Sequence, residues 1–499
     1  LDSLSEIIRR FVESSREPVV LEAGEDPIAL RRESFVLTQR GTSVTLECWT
    51  ETRNLARRIR SVKEQRRGRL ELEVERFPNA TGKLTLADLA EAANRDALRR
   101  GSRLKYRERF RRSLRRQFPD WRIAELSTEP DLHHSLSPSY PRALLRKGRS
   151  GMAAIGAGED ALAPEGVMSF GLIWLDHLRR REPRIWIETL AVFVPADAAS
   201  TTCHRVRYLN PELARYLVYV HDSSGHEDAV DPRDYTNFDT RIDVFHAPPI
   251  DPQVASWLDE MAAMDGVERR YARDGRISLA VRGLEFASVG ANGVRFGIDE
   301  QQTANVANLK EIRELARGLQ RMRSPFASDR QNPLYTRHPE AWLESEVRRQ
   351  IQTIDATIDP APIYGQVPQF AGGDRGVIDL LAIDRDSRLT IVEVKASQDI
   401  QLPLQALDYW LRVKWHLERG EFSGKGYFPQ RELSRKAPRL LLISPALEFH
   451  PSNETVLRYL SREVETERIG VGVEWRQELR VMFRVDSAHE NGPSSIKPG

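Results

Sequence analysis

Apolar residues in the last third of the chain fall into short dense runs broken by polar turns. Residues 377–383 (Val-Ile-Asp-Leu-Leu-Ala-Ile) and 389–395 (Leu-Thr-Ile-Val-Glu-Val-Lys) predict two strands, and the polar stretch 384–388 predicts the hairpin joining them. Successive strand side chains point to opposite faces, so Glu393 and Lys395 share one face while Val392 and Val394 share the other. Residues 439–443, a short apolar run bounded by Pro, predict a central strand covered on both faces. A helix over 405–417, a loop through Gly420, Gly424 and Gly426, a helix over 454–460 and strands over 472–475 and 479–485 complete this region. Upstream, Trp342, Leu343, Val347, Ile351 and Ile354 form the apolar stripe of a helix. The predicted order is helix, strand, strand, helix, strand, helix, strand.

The N-terminal pattern differs. A helix carrying Ile7, Ile8, Phe11 and Val12 leads into strands at 34–38 and 43–49, hinged at Gln39-Arg40-Gly41-Thr42. Residues 54–63 read as a basic helix, and 69–77 as a half-buried strand in which Leu70, Leu72 and Val74 alternate with Glu71, Glu73 and Glu75. In the middle, a loop over 132–141 precedes apolar runs at 167–178 and 185–194, with short strands expected at 215–221, 242–245, 277–281 and 293–298. A helix over 304–322, then Pro325, Pro333 and Pro339, marks the boundary to the last region. Gly151 to Gly158 lacks the strand-to-helix setting of a dinucleotide site and is expected to be a flexible loop. His221-Asp222 and His226-Glu227-Asp228 read as an exposed hairpin tip, and His133-His134-Ser135 as solvated or capping residues. The domains expected are 1–125, 126–329 and 330–488, the first two α+β, followed by a disordered polar tail.

Composition narrows the setting. Net charge is only +2 although charged residues make up 30%, so any nucleic-acid surface has to come from local clustering. Cys48 and Cys203 stand far apart with no metal-spaced neighbours, which fits a reducing, cytoplasmic compartment. No run of about eighteen apolar residues and no apolar signal core is present, so no membrane partner is expected. No Gly-x-x-x-x-Gly-Lys-Ser/Thr occurs, so the chain carries no P-loop motor. Two basic clusters stand out, one with Arg57, Arg58 and Arg60, the other with Arg107, Arg111, Arg112, Arg115 and Arg116 interleaved with Tyr106, Phe110, Phe118 and Trp121. They suit phosphate contacts with bases stacking nearby. Equally, the second can be the solvated face of a helix whose core stripe is Leu104, Phe110 and Leu114.

The chemistry concentrates at Asp379, Glu393 and Lys395. Two carboxylates and an ammonium among Ile, Val and Leu are costly to desolvate unless they pair with each other or with a cation. Paired hard carboxylates suit Mg²⁺, which takes one or two protein carboxylates plus waters and phosphate oxygens.

These three residues resemble the signature of the PD-(D/E)xK nuclease superfamily, in its RecB-like and mismatch-endonuclease-like branches. Gln405 and Tyr409, i and i+4 on one helix face, and the helix opening Trp342-Leu343-Glu344 fit the same resemblance. The family's usual Pro before the first Asp is replaced by Ile378, and the likeness covers about the last third of the chain. Glu344 and Glu346 border the helix stripe on opposite sides; the resemblance favours Glu344 and leaves Glu346 as a solvated residue. It implies a restriction-endonuclease-like α/β/α core with a mixed sheet. Mg²⁺, with Mn²⁺ able to substitute, would be held by Asp379, Glu393, Glu344 and the backbone carbonyl of Val394. Lys395 would orient a water or stabilise developing charge, and Gln405 and Tyr409 would position the strand or Lys395. The other reading of Gln405 and Tyr409 is an ordinary amphipathic helix with Leu404, Leu407 and Leu411 as its core.

The implied activity is metal-dependent hydrolysis of DNA phosphodiester bonds in repair, recombination or defence against foreign DNA. RNA is left open as a substrate, as are a homodimer and a separate helicase or translocase as partners. The alternative expectation is a catalytically silent nucleic-acid-binding protein that partners a helicase or another nuclease.

Overall fold

A computed structural model of the chain describes residues 3–22, 27–31, 34–40, 43–50, 54–76, 80–159, 161, 163–222, 224–238, 240–245, 251–271, 276–290, 293–304, 308–371 and 374–486. The chain divides into two compact units, Leu1–Pro119 and Asp120–Gly499.

In the first unit, α1 (Leu4–Ser14) starts at a capping box: the Ser3 hydroxyl accepts the Glu6 N–H at 3.3 Å, and the Glu6 carboxylate accepts the Ser3 N–H at 2.7 Å. Its Ile8 and Phe11 pack on an antiparallel sheet of β1 (Pro18–Glu22), β2 (Ile28–Ala29), β3 (Phe35–Arg40), β4 (Ser43–Trp49), β5 (Asn54–Arg66), β6 (Arg69–Arg76) and β7 (Ala80–Asp88). The strand order is β2-β1-β7-β6-β5-β4-β3. Strands β3 and β4 pair as expected, while Gly41 and Thr42 of their turn lie outside the described residues. Leu70, Leu72 and Val74 of β6 are fully buried, as their alternation with Glu requires.

The basic helix expected at 54–63 is instead strand β5, paired with β4 and β6. Its basic residues find partners across the ladder: Arg58 and Arg60 reach Glu75, and Lys63 reaches Glu73. Helix α2 (Ala92–Gln117) buries Phe110 and Leu114, but Leu104, expected in the same stripe, is 55% exposed.

In the second unit, β8 (Arg122–Ser127), β9 (Arg142–Lys147) and β10 (Ser150–Gly156) run antiparallel; α3 (Val167–Arg181) leads to β11 (Trp186–Pro195) and α4 (Ala196–Val206) to β12 (Arg215–His221), both parallel to β10. Strand β13 (Glu227–Val230) closes the edge antiparallel, giving the order β13-β12-β11-β10-β9-β8. With helices crossing between parallel strands, this part is α/β and not α+β as expected.

The glycine-containing stretch expected as a flexible loop is central strand β10. A Cβ on Gly151 would lie 2.8 Å from the Ile185 and Ile187 side chains, so glycine there is a packing requirement. His226 is exposed in the β12–β13 turn, whereas His221 is buried with Nε2 2.9 Å from the Ala157 carbonyl. His134 bonds Asp131 at 2.8 Å in an exposed turn.

Strand β14 (Thr240–Ile242), placed two residues earlier than expected, joins the C-terminal sheet. Helix α5 (Pro252–Ala262) and α6 (Leu309–Met322) cover an antiparallel sheet of β15 (Val267–Tyr271), β16 (Ile277–Val281), β17 (Leu284–Gly290), β18 (Gly293–Phe296) and β19 (Gln302–Thr303).

The C-terminal part opens with α7 (Pro333–Thr336), α8 (Pro339–Arg349) and α9 (Ile351–Ile354). There follow β20 (Tyr364–Ala371), β21 (Asp374–Ile383), β22 (Leu389–Val394), α10 (Leu402–Glu418), α11 (Glu421–Gly424), β23 (Arg439–Pro445), α12 (Ser452–Arg458), β24 (Thr466–Val471) and β25 (Val481–Asp486). The sheet order is β14-β20-β21-β22-β23-β24-β25, with β22, β23 and β24 parallel and their flanks antiparallel. Leu380, Ala382, Val392 and Val394 pack with Trp342, Leu343, Val347, Ile351 and Ile354 on one face. Leu381, Ile383 and Ile391 pack with Leu404, Leu407, Trp410 and Leu411 on the other. The sheet is thus covered by helices on both faces.

Residues 472–475, expected as a strand, form a turn, and the strand lies earlier, at β24. Its polar residues disguised it: Glu467 binds Arg439 at 2.8 Å and also Arg484, so a charged position sits inside the sheet. The 420–426 loop contains the short α11. The tail beyond residue 486 lies outside the described residues. Among the described residues no helix is long and apolar enough to cross a membrane.

Candidate active site

Strand β22 is flanked on both sides, so Glu393 emerges from the middle of the sheet and is only 3% exposed. Its neighbours along the strand, Val392 and Val394, are held in the core under α8, which turns Glu393 toward the α10 face. The β21–β22 ladder stops at the pair Leu380–Val392. One residue further, the Asp379 carboxylate takes over the bonding, its Oδ2 accepting the Val394 N–H at 2.8 Å. Lys395 lies just beyond the strand, anchored through its N–H to the Ile443 carbonyl at 2.9 Å. Its Nζ is 3.8 Å from Glu393 Oε1 and 4.0 Å from Asp399 Oδ2. The structure therefore brings Asp379, Glu393 and Lys395 together.

Their electrostatics are those of a crowded anionic pocket. Burial pushes the Asp379 carboxyl up to about 7; the Val394 N–H opposes the rise, and the charges of Glu344 and Glu340 add to it. Burial also raises Glu393 well above the ordinary carboxylate range, and the Asp379 charge raises it further. For Lys395, burial works against the ammonium, but Glu393, Glu340, Asp379 and Asp399 together outweigh it and raise its pKa. One cation thus faces four carboxylates.

Glu344 is buried in α8, yet its direct partners are arginines: Arg348 Nη2 at 3.1 Å and Arg270 Nη2 at 3.7 Å. Arg270 comes from β15, where Glu268 meets the Ser345 hydroxyl, so the antiparallel sheet braces the helix beside the site. Glu346, expected to be solvated, is 5% exposed and paired with Arg349 and with Gln350 Nε2, the latter at 3.2 Å. The helix end closes over it, which periodicity alone does not predict.

Tyr409 packs against the core from α10, its hydroxyl facing the Val377 backbone. Burial raises its pKa, and the charges of Glu393 and Asp379 raise it further, so it stays protonated beside them. Gln405 is half-buried one turn earlier on the same helix. Two acids that act on the site were missed by the sequence reading. Glu340 lies four residues before Glu344, hence on the same helix face, and that spacing was the available signal. Asp399 follows Lys395 by four residues in a loop, where no periodicity points to it.

A divalent cation at this site would need clustered oxygen donors. Among the described residues no three His, Cys, Asp or Glu side chains are grouped as a metal-holding cluster. The donor chemistry nevertheless fits: Glu393 Oε2 is buried with no hydrogen-bond partner, next to a second carboxylate. A buried carboxyl oxygen of this kind, left without a partner, is stabilised as the carboxylate by a cation.

The N-terminal arginines lie in the other unit. Arg57 is bonded to the buried Glu22 at 2.9 Å, and Arg58 and Arg60 pair with Glu75 at 3.5 and 3.1 Å. On α2, Arg107 is half-buried and Arg111 pairs with Glu108 at 3.6 Å. Arg112, Arg115 and Arg116, spaced i, i+3 and i+4, are exposed on one face.

No family model matches the chain, and no curated protein matches it significantly.

Proposed function

We propose that the C-terminal part of the chain is a metal-dependent deoxyribonuclease of the PD-(D/E)xK type, hydrolysing DNA phosphodiester bonds. The observation that carries this reading is Glu393: a carboxylate buried at the centre of a sheet, one oxygen unpartnered, with Asp379 and Lys395 beside it.

Asp379, Glu393 and the Val394 carbonyl would hold Mg²⁺, or Mn²⁺ in its place. Bound there, the cation supplies polarisation of the scissile phosphate and a lowered pKa for an attacking water. The Val394 N–H fixes one Asp379 oxygen, so that carboxylate is preset before substrate arrives. Lys395 donates to the water and to the phosphate oxygens as negative charge grows on them. Glu340 and Asp399 keep Lys395 protonated for that role. Glu344, tied to Arg348 and Arg270, holds α8 against the site, while Tyr409 and Gln405 close its α10 side. Water attack breaks one P–O bond, leaving a phosphomonoester on one fragment and a hydroxyl on the other.

The test is cleavage of labelled circular single-stranded and linear double-stranded DNA by the purified protein with Mg²⁺, with Mn²⁺ and with chelator, alongside Glu393→Ala. Cleavage should require the metal and Glu393. Tight binding without cleavage under either metal would move the reading to the silent nucleic-acid-binding protein.

A further inference from the structure

The unit Asp120–Gly499 contains one topology twice. Three antiparallel strands, a helix, a parallel strand, a helix, a second parallel strand and an antiparallel edge strand occur as β8 to β13 with α3 and α4. They recur as β20 to β25 with α10 and α12 in the corresponding places. The registers coincide as well. Lys395 N–H bonds the Ile443 carbonyl at 2.9 Å just beyond β22, and Ala157 N–H bonds the Phe193 carbonyl at 2.9 Å just beyond β10. Following that register back, Ala157 stands where Lys395 does, Ile155 where Glu393 does, and Arg142 where Asp379 does. Arg142 is buried, donates to the Glu129 carbonyl at 2.7 Å and lies over the Trp174 ring. Among the described residues, then, the acid pair and its lysine exist in one copy and are replaced by Arg, Ile and Ala in the other.

The two copies also face each other reciprocally. Helix α3 packs on α12, and α4 packs on α10. Arg207-Tyr208-Leu209 follows α4, and Arg458-Tyr459-Leu460 closes and follows α12. These repeated tripeptides meet antiparallel: Asn210 N–H bonds the Tyr459 carbonyl at 2.7 Å, and Ser461 N–H bonds the Tyr208 carbonyl at 2.8 Å. Ion pairs cross in both directions, Arg205 to Asp408 at 2.8 Å and Arg458 to Asp176 at 3.3 Å. Contacts in which each element meets the counterpart of its own partner define an approximate two-fold relation.

We infer that the first copy is a built-in, catalytically silent partner subunit, so that one chain has the form of a dimer with a single hydrolytic centre and nicks duplex DNA, cutting one strand per binding event. This rests on the nuclease reading of Asp379, Glu393 and Lys395. A second acid-bearing copy cannot pair in the same way, because the faces of α10 and α12 are already covered by α4 and α3.

The test uses the full chain on negatively supercoiled plasmid with Mg²⁺, sampled over time. Open circle should accumulate until supercoiled substrate is nearly exhausted, with linear DNA arising later from independent nicks. Linear DNA as the first product, without accumulating open circle, would overturn the inference while leaving the nuclease reading intact. No metal-dependent cleavage of any DNA would overturn both. A second measurement mixes wild type with Glu393→Gln at constant total protein. The nicking rate should fall in direct proportion to the wild-type fraction, whereas a fall with its square would mean that two chains supply the cut.

Discussion

Asp379 Oδ2 accepts the Val394 N–H at 2.8 Å at the point where the β21–β22 ladder has just ended. A carboxylate has replaced a main-chain bond there, and its charge is held against that of Glu393. Asp379→Asn keeps an acceptor for the Val394 N–H and removes the repulsion. The metal-free variant should be more stable than wild type by about 1–2 kcal/mol, while cleavage falls at least ~100-fold. Thermal unfolding with and without Mg²⁺ checks both parts: the metal should raise the wild-type midpoint and hardly move that of the variant. A metal-free variant less stable than wild type would mean that the two carboxyls do not repel.

Lys395 predicts the opposite sign. As the ammonium facing four carboxylates, it offsets their repulsion in the metal-free protein. Lys395→Met should lower metal-free stability by about 2–3 kcal/mol, with part of the loss recovered by Mg²⁺. Denaturant unfolding at matched ionic strength reads the difference. An unchanged midpoint would show that the lysine is not the counter-ion of the site.

Much of this site was legible in the sequence because period-two and period-3.6 patterns fix which side chains share a face. Trp342, Leu343, Val347, Ile351 and Ile354 were readable as a stripe and are all buried, and Glu393 and Lys395 follow from strand alternation. What escaped was whatever depends on partners distant in the chain. Residues 54–63 carry a helix-compatible pattern, but β4 and β6 supply ladder bonds that decide for strand. Strand β24 contains Glu467 and Arg468, tolerable only because Arg439, Arg484 and Glu454 come to meet them. Strand β10 is rich in Gly and Ala, which reads as a loop until α3 is laid against it: a Cβ on Gly171 would be 3.0 Å from Ile155 Cγ2. Arg270, which reaches Glu344 from another sheet, had no local signal at all.

Glu344 and Glu346 separate by what each would leave behind. Glu344→Gln removes the ion-pair partner of the half-buried Arg348 and leaves the half-buried Arg270 to Glu268 alone, and should cost about 3 kcal/mol. Glu346→Gln releases the largely exposed Arg349 and should cost no more than about 1 kcal/mol. Chemical denaturation of the two variants checks the order. Equal losses would mean that the Arg270–Glu344–Arg348 group does not brace α8.

The thiols report on the fold independently of the site. Cys48 and Cys203 are fully buried, and burial pushes the Cys203 thiol up to about 12. Neither should react with a disulfide reagent in native buffer, and both should react once denaturant is added. Rapid labelling of the native protein would contradict the packing of both units.

The N-terminal arginines divide into two groups with different predicted effects on DNA binding. Arg57, Arg58 and Arg60 already have carboxylate partners in Glu22 and Glu75, and a phosphate would have to displace them. Arg112, Arg115 and Arg116 are exposed on one face of α2. Each phosphate contact contributes about 0.9 to the slope of log affinity against log salt. Replacing Arg112, Arg115 and Arg116 with Gln should therefore flatten that slope by about 2 to 3, whereas replacing Arg58 and Arg60 should leave it nearly unchanged. Fluorescence anisotropy of a labelled duplex across a salt series, with chelator present to prevent cleavage, measures both slopes. If the α2 substitutions leave the slope where it was, that helix face is solvated surface, and any nucleic acid is held elsewhere on the chain.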